Sequence, residues 1–271
     1  DDNPRGGAPE PIYVYFPTEE ETGFSIALHA DFQMDLDRRR ISTSMHAGEY
    51  NEWLRGELVR FVSYDVVPWL AERYPGVSVL DALASRKPAT GHGIVLRKEV
   101  LQGLSGADLV PCRDCLHAPI DAQLLPSSVP DLSLLHSWLP NERPYVLPAA
   151  QETPEIRSML SNEFAVREVS SGTLLAELEP PANEMEVERF YGFLLEWSRR
   201  DARFIDNLRS ARCVRLRGGR WATPSEPAFL PRQRNEADFP AELNIPIVEV
   251  PDVEGIDDLL ERAGVKQLDW R

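Results

Sequence analysis

"GADLVPCRDCLHAPIDAQLLP" (106–126) and "ARCVRLRGGRWATPSEPAFLP" (211–231) share one pattern. Each has a short apolar run, a polar turn, a second short run and then two prolines, Pro119 and Pro126 in the first, Pro224 and Pro231 in the second, at equal separation. Apolar runs bounded by turn residues read as short strands. "PYVLP" (144–148) and "PIVEVP" (246–251) add a Pro-bounded strand to each. The pattern predicts two copies of a strand-turn-strand unit, about 104–148 and 208–251, each preceded by a helix and followed by a loop and a strand.

Outward from these copies, apolar spacing predicts helices over 154–162, 184–199, 201–210 and 253–264, the last closed by Gly264. A longer helical stretch is expected over 51–74. There Trp53, Leu54, Leu58, Phe61 and Val62 would pack on a sheet, with Asn51 as cap, Pro68 as kink and Pro75-Gly76 as terminator. Before it, "IYVYF" (12–16) reads as a strand and "TEEETG" (18–23) as a polar turn. The next run is apolar at every even position from Phe24 to Leu36, which predicts a strand in a hairpin with the first; the run exceeds the usual strand of about 5–6 residues, so a bend or a loop is expected near its end. Its other face would present His29, Asp31, Gln33 and Asp35. The fold class is α+β: after a linker (1–9), a mixed sheet with packed helices over 10–95, then a second mixed α/β body over 96–271 that carries the repeat.

The chain has 271 residues, 42% of them hydrophobic, enough for a sizeable core. Its net charge of −15 repels phosphate backbones, so nucleic acid is not an expected partner. No apolar run approaches the roughly 18 residues of a membrane span, so no membrane is expected either. Three sparse cysteines and no visible signal peptide fit a reducing cytoplasm.

Few motifs carry chemistry. Cys112, Cys115 and His117 have a suggestive spacing, but a structural zinc site takes four ligands and Cys213 is remote, so no metal is expected. There is no phosphate loop and no G-x-S-x-G elbow. "RGGR" (217–220) and "ATGHG" (89–93) read as turns, and the histidines are isolated. Arg38, Arg39 and Arg40 remain, three cations at the end of an alternating run in an acidic chain. They either balance Asp31, Asp35 and Asp37 or present a guanidinium, always charged and fork-shaped, to an anion held elsewhere.

The stretch "VYFPTEEETGFSIALHADFQMDLDRRRIS" with "NEWLRGELVRFV" after it resembles the segment that follows the nucleotide-binding domain in sacsin-like and NO VEIN-like proteins of the GHKL ATPase superfamily. "GRWATPSEPAFLP" and "LLERAGVKQL" are similar to segments that recur in sacsin-type proteins. The resemblance implies a transducer, like the middle domain of the GHKL heat-shock chaperone, whose loop places an arginine on ATP bound by the preceding domain. The chaperone's L-N-x-S-R-E-x-L pattern lies against residues 34–41 and puts that arginine on Arg38, or on Arg39 if the register moves by one. It implies ATP and magnesium in a longer protein but no cofactor within these residues. The chain alone would not be an enzyme. The partners implied are an upstream nucleotide-binding domain of the same chain and a protein client. The alternative is an acidic protein-interaction module with no part in hydrolysis.

Overall fold

A computed structural model describes residues 10–74, 76–84, 89–231 and 245–267. The expected linker 1–9 and Pro75 lie outside these. Strands β1 (Pro11–Val14), β2 (Phe16–Glu21) and β3 (Leu28–His29) lead into α1 (Met45–Phe61), a π-helical turn (Val62–Val66) and α2 (Val67–Arg73). Helices α3 (Ser78–Leu83) and α4 (His92–Gly103) follow, then β4 (Val110–Pro111), β5 (Leu116–His117) and β6 (Gln123–Leu124). After α5 (Leu132–Ser137) come α6 (Pro148–Gln151), α7 (Pro154–Ser158), a second π-turn (Met159–Glu163) and β7 (Arg167–Glu168). The rest holds α8 (Ser171–Glu177), α9 (Glu184–Arg200), α10 (Phe204–Leu208), β8 (Val214–Arg215), β9 (Trp221–Ala222), β10 (Phe229–Leu230), α11 (Ile256–Ala263) and β11 (Lys266–Gln267). The chain is thus mixed α and β, with small sheets and packed helices.

Packing divides the chain into two units. One ends at Leu124 and resumes over Pro144–Glu168; the other takes Leu125–Arg143 and the chain from Val169 onward. Residue 95, where the sequence reading put a boundary, falls inside α4 of the first unit.

In the first unit the amino-terminal sheet has the order β2-β1-β3, with β1 antiparallel to β2 and parallel to β3. This corrects the expected hairpin in two ways. The acidic "turn" is largely strand β2, and the chain reverses at Tyr15, whose φ is 58°. Strand β2 escapes a hydropathy reading because its inward side chains are polar. Thr18 donates from Oγ1 to the Ile12 carbonyl at 2.8 Å, and the buried Glu20 carboxylate accepts the His92 N–H at 2.7 Å. The second correction concerns residues 24–36, of which only Leu28 and His29 join the ladder. The alternation survives as burial, with Phe24, Leu28 and Phe32 inside, until Leu36, which is fully exposed.

Helix α1 starts at Met45, and Asn51 sits buried in its interior rather than capping it. Leu58 and Val62 are buried, whereas Trp53 and Phe61 point to solvent. Pro68 is accommodated without a break. A proline lacks an N–H and crowds the carbonyl four residues before it, and the π-turn widens the helix just upstream, with Val67 N–H reaching back to the Val62 carbonyl. Helix α4 docks on β2 through Gly91 and Gly93: a Cβ on Gly93 would lie 2.0 Å from the Glu21 carbonyl oxygen.

Each unit holds one copy of the repeat, and the ladders match. Strands β4 and β5 pair antiparallel, as do β8 and β9. Val146 bridges antiparallel to Cys112 while Tyr145 bridges parallel to Gln123; Val248 and Ile247 do the same with Leu216 and Phe229. The last strand of each copy, β7 or β11, lies parallel to β6 or β10. The order is therefore β5-β4-(145–146)-β6-β7 in one copy and β9-β8-(247–248)-β10-β11 in the other. The equal proline spacing is one residue out of register with this match, because Leu124 and Leu230 are equivalent and lie two and one residues before their prolines.

The helix before the last strand also matches. A left-handed residue, Ala165 at φ 53° or Gly264 at 118°, ends it, and the next valine's N–H returns to a leucine carbonyl, Val166 to Leu160 and Val265 to Leu260. The first copy has one extra residue in this loop, absorbed by its π-turn.

The second unit is built on α9, capped by Asn183 and carrying Glu184 and Glu186 in its first turn and Arg199 and Arg200 in its last, the order that suits the helix dipole. Its buried stripe includes Val187, Phe190, Tyr191, Leu194 and Trp197. Trp138, just after α5, packs edge-on against Phe190 at 4.9 Å and Phe193 at 5.3 Å.

Candidate functional site

The three arginines occupy a tight turn. Met34 bridges Ile41, Asp35 N–H donates to the Arg40 carbonyl, and Arg38 N–H donates back to the Asp35 carbonyl, both at 2.9 Å. Arg39 N–H donates to Asp37 Oδ1 at 3.0 Å, and the turn is tied to β2 by Glu19 N–H on the Arg39 carbonyl at 2.9 Å. Side chains divide the work. Arg39 and Arg40 both reach the Glu19 carboxylate, at 3.5 and 3.3 Å, in exposed pairs of little energetic weight. Arg38 sits at the apex with φ 56°, exposed, and makes no ion pair among the described residues. A left-handed non-glycine residue costs of order 1 kcal/mol or more, and the hydrogen-bonded turn imposes it.

Two further groups stand out in the first unit, and neither the arginine motif nor the repeat pointed to them as assembled. Arg97 on α4 is buried and makes a two-point pair with Glu163 of the second π-turn, Nε to Oε2 and a terminal nitrogen to Oε1, each at 2.7 Å. Its other terminal nitrogen donates to the Leu83 carbonyl at 3.0 Å, and its guanidinium lies over Phe24 at 4.9 Å. The pair borders a cavity of about 330 Å³. With its donors so committed, Arg97 is a brace between elements distant in sequence.

The other group is on the β4–β5 hairpin. His117 Nε2 lies 2.9 and 3.1 Å from the two Asp114 carboxylate oxygens and 3.4 Å from Cys115 Sγ. These are the only three residues among those described whose His, Cys or carboxylate ligand atoms gather within 4.8 Å. The hydrogen bond to His117 holds the Asp114 carboxyl below its ordinary range. The Cys115 thiol is pushed up, by desolvation and then by the Asp114 charge. Cys112 is not in the group. It is buried, donates from Sγ to the Pro144 carbonyl at 3.3 Å, and is pushed up to about 12 by burial, with Asp114 and Cys115 adding to the shift. A reactive cysteine needs a depressed pKa, so neither is an activated nucleophile. Sequence reasoning paired the cysteines by their spacing and did not count Asp114 as a ligand.

A scan against protein-family models found no match, and searches of curated proteins and of solved structures found none either. The resemblance to sacsin-like proteins rests on the residues quoted for it.

Proposed function

We propose that the chain is a transducer and scaffold segment of a larger chaperone-like ATPase of the sacsin type, with Arg38 reaching ATP held by a nucleotide-binding domain upstream. One observation supports this reading above the others: of three adjacent arginines, two are tied to Glu19, while the third is held at the turn's apex in a strained backbone conformation with its fork unengaged among the described residues. A guanidinium so placed is available to charge developing on a transferred phosphoryl group.

Steady-state hydrolysis and equilibrium nucleotide binding, measured on a protein that includes the preceding segment, test the reading. Arginine fingers contribute roughly 10³–10⁵ in rate in well-studied systems. Arg38→Ala is expected to lower kcat far more than it weakens ATP binding, Arg38→Lys to restore part of it, and Arg40→Ala to do neither. Unchanged turnover in both Arg38→Ala and Arg39→Ala, or no nucleotide pocket upstream, removes the proposal.

A second reading, an acidic protein-interaction module, draws on the solvent face of the α1–α2 run, where Trp53, Phe61, Tyr64 and Trp69 are each more than half exposed. Loss of partner capture in Tyr64→Ala, with Arg38→Ala silent, favours it.

A further inference from the structure

We propose that Asp114, Cys115 and His117 form a binding site for a zinc-class divalent cation on the β4–β5 hairpin. The geometry argues for a cation because all three side chains converge on one point. A nucleophile, its base and an orienting acid use the two imidazole nitrogens in opposite directions. Here the thiol and the carboxylate both lie against Nε2, the arrangement of ligands sharing an ion.

The distances fit with small movements. Tetrahedral zinc with ordinary bond lengths sets nitrogen–oxygen and nitrogen–sulfur edges of roughly 3.4 and 3.6 Å. The observed separations of 2.9 to 3.1 Å and 3.4 Å need to open by half an ångström or less. Asp114 and Cys115 are exposed and His117 partly so, which leaves room for that adjustment. One thiolate, one imidazole and one carboxylate are a donor set suited to zinc, which borders on soft, rather than to magnesium or calcium. Binding displaces the thiol proton, and water takes the remaining position.

The second copy shows that the hairpin does not require these residues. Its equivalent turn is one residue longer and is shaped by Gly218 and Gly219, at φ 93° and 82°, between Arg217 and Arg220, with no ligand side chain. In the first copy the turn contains no glycine and closes through Cys112 N–H on the Cys115 carbonyl at 3.0 Å. The three ligand types are thus particular to one copy of a shared scaffold.

The chelator-treated chain, titrated with zinc chloride against a chromogenic zinc chelator, tests the site. One zinc per chain is expected, with affinity at least about tenfold weaker in Cys115→Ser and in His117→Ala and unchanged in Cys112→Ser. Cobalt titration of the unaltered chain should give a near-ultraviolet sulfur-to-metal band that is absent in Cys115→Ser, a readout that holds even if His117→Ala disturbs folding. Stoichiometric binding lost in Cys112→Ser but kept in Cys115→Ser overturns the assignment. So does the absence of stoichiometric binding in the unaltered chain.

Discussion

The Asn51 side chain serves Gln33 as a neighbouring strand would. Its Oδ1 accepts the Gln33 N–H at 2.8 Å, and its Nδ2 donates to the Gln33 carbonyl at 2.9 Å and to the Ser42 carbonyl, also at 2.9 Å. This one amide holds both sides of the loop that ends in the arginine turn, and it satisfies backbone that the sheet does not reach.

Removing it should take the partner from the Gln33 N–H and from the Ser42 carbonyl, while the Gln33 carbonyl keeps the Ser42 N–H at 2.8 Å. Asn51→Ala is expected to lower stability by roughly 2–4 kcal/mol. Asn51→Asp should be at least as damaging at pH 7, because a carboxylate faces two carbonyl oxygens. The introduced acid then has a folded pKa above its unfolded value, so the lost stability returns as pH falls and is lost again as pH rises through the folded pKa. Urea midpoints of both variants at pH 7 and pH 4.5 check this. A deficit in Asn51→Asp that does not change with pH rules out the account.

Two helical glycines should respond in opposite directions to alanine. Gly56 in α1 is exposed, and a methyl added there would meet nothing within 4 Å, so Gly56→Ala should stabilise by about 0.5–1 kcal/mol through backbone entropy. Gly93 in α4 has the Glu21 carbonyl where the methyl would go, so Gly93→Ala should cost about 1–3 kcal/mol as α4 is pushed off β2. Thermal melts of the pair decide it, and a stabilised Gly93→Ala would mean that α4 is not seated as described.

Thiol chemistry should separate the cysteines. In the native chain, treated with chelator and held at pH 8, iodoacetamide should modify Cys115 alone, because Cys112 and Cys213 are buried and burial raises both thiols. A thiol whose folded pKa is raised stabilises fully below its unfolded pKa of about 8.5 and progressively less above it. Stability should therefore fall between about pH 9 and the value near 12 reached by Cys112, and Cys112→Ala should flatten that fall. Mass spectrometry of labelled peptides and urea midpoints at pH 8 and 10 provide the measurements. Equal labelling of Cys112 and Cys115 at pH 8 refutes the burial argument.

The repeat was legible because prolines and short apolar runs mark strand ends, and its strands needed only a one-residue shift. Helices α9 and α11 were legible through their apolar stripes and, for α11, Gly264. Residues 24–36 misled because alternation records which side chains are inside and not where the backbone finds its hydrogen bonds; Ser25 N–H goes to the Ala82 carbonyl, and Asn51, helical and distant, serves Gln33. Strand β2 stayed hidden because Thr18 and Glu20 face inward as satisfied polar groups. Helix α4 was missed where "ATGHG" reads as a turn, since its glycines serve close packing. At the arginine turn the residues alone offer three cations and the resemblance points to Arg38 or Arg39; in the fold, Arg39 and Arg40 share Glu19 and Arg38 does not. Asp114 was passed over because nothing in its spacing marks an aspartate in a turn as a ligand.

The interruption of the first repeat by Leu125–Arg143 bears on the order in which the chain is made. When β6 leaves the ribosome, its neighbours at 145–146 and β7 have yet to be synthesised, so the first ladder cannot close before residue 168. Trp138 waits longer still, since Phe190 and Phe193 come some fifty residues after it. A nascent chain halted between those points displays an unpaired indole beside Leu135 and Leu139, both buried at completion. That intermediate, rather than the finished protein, is the form most exposed to aggregation and to capture by cellular holdases.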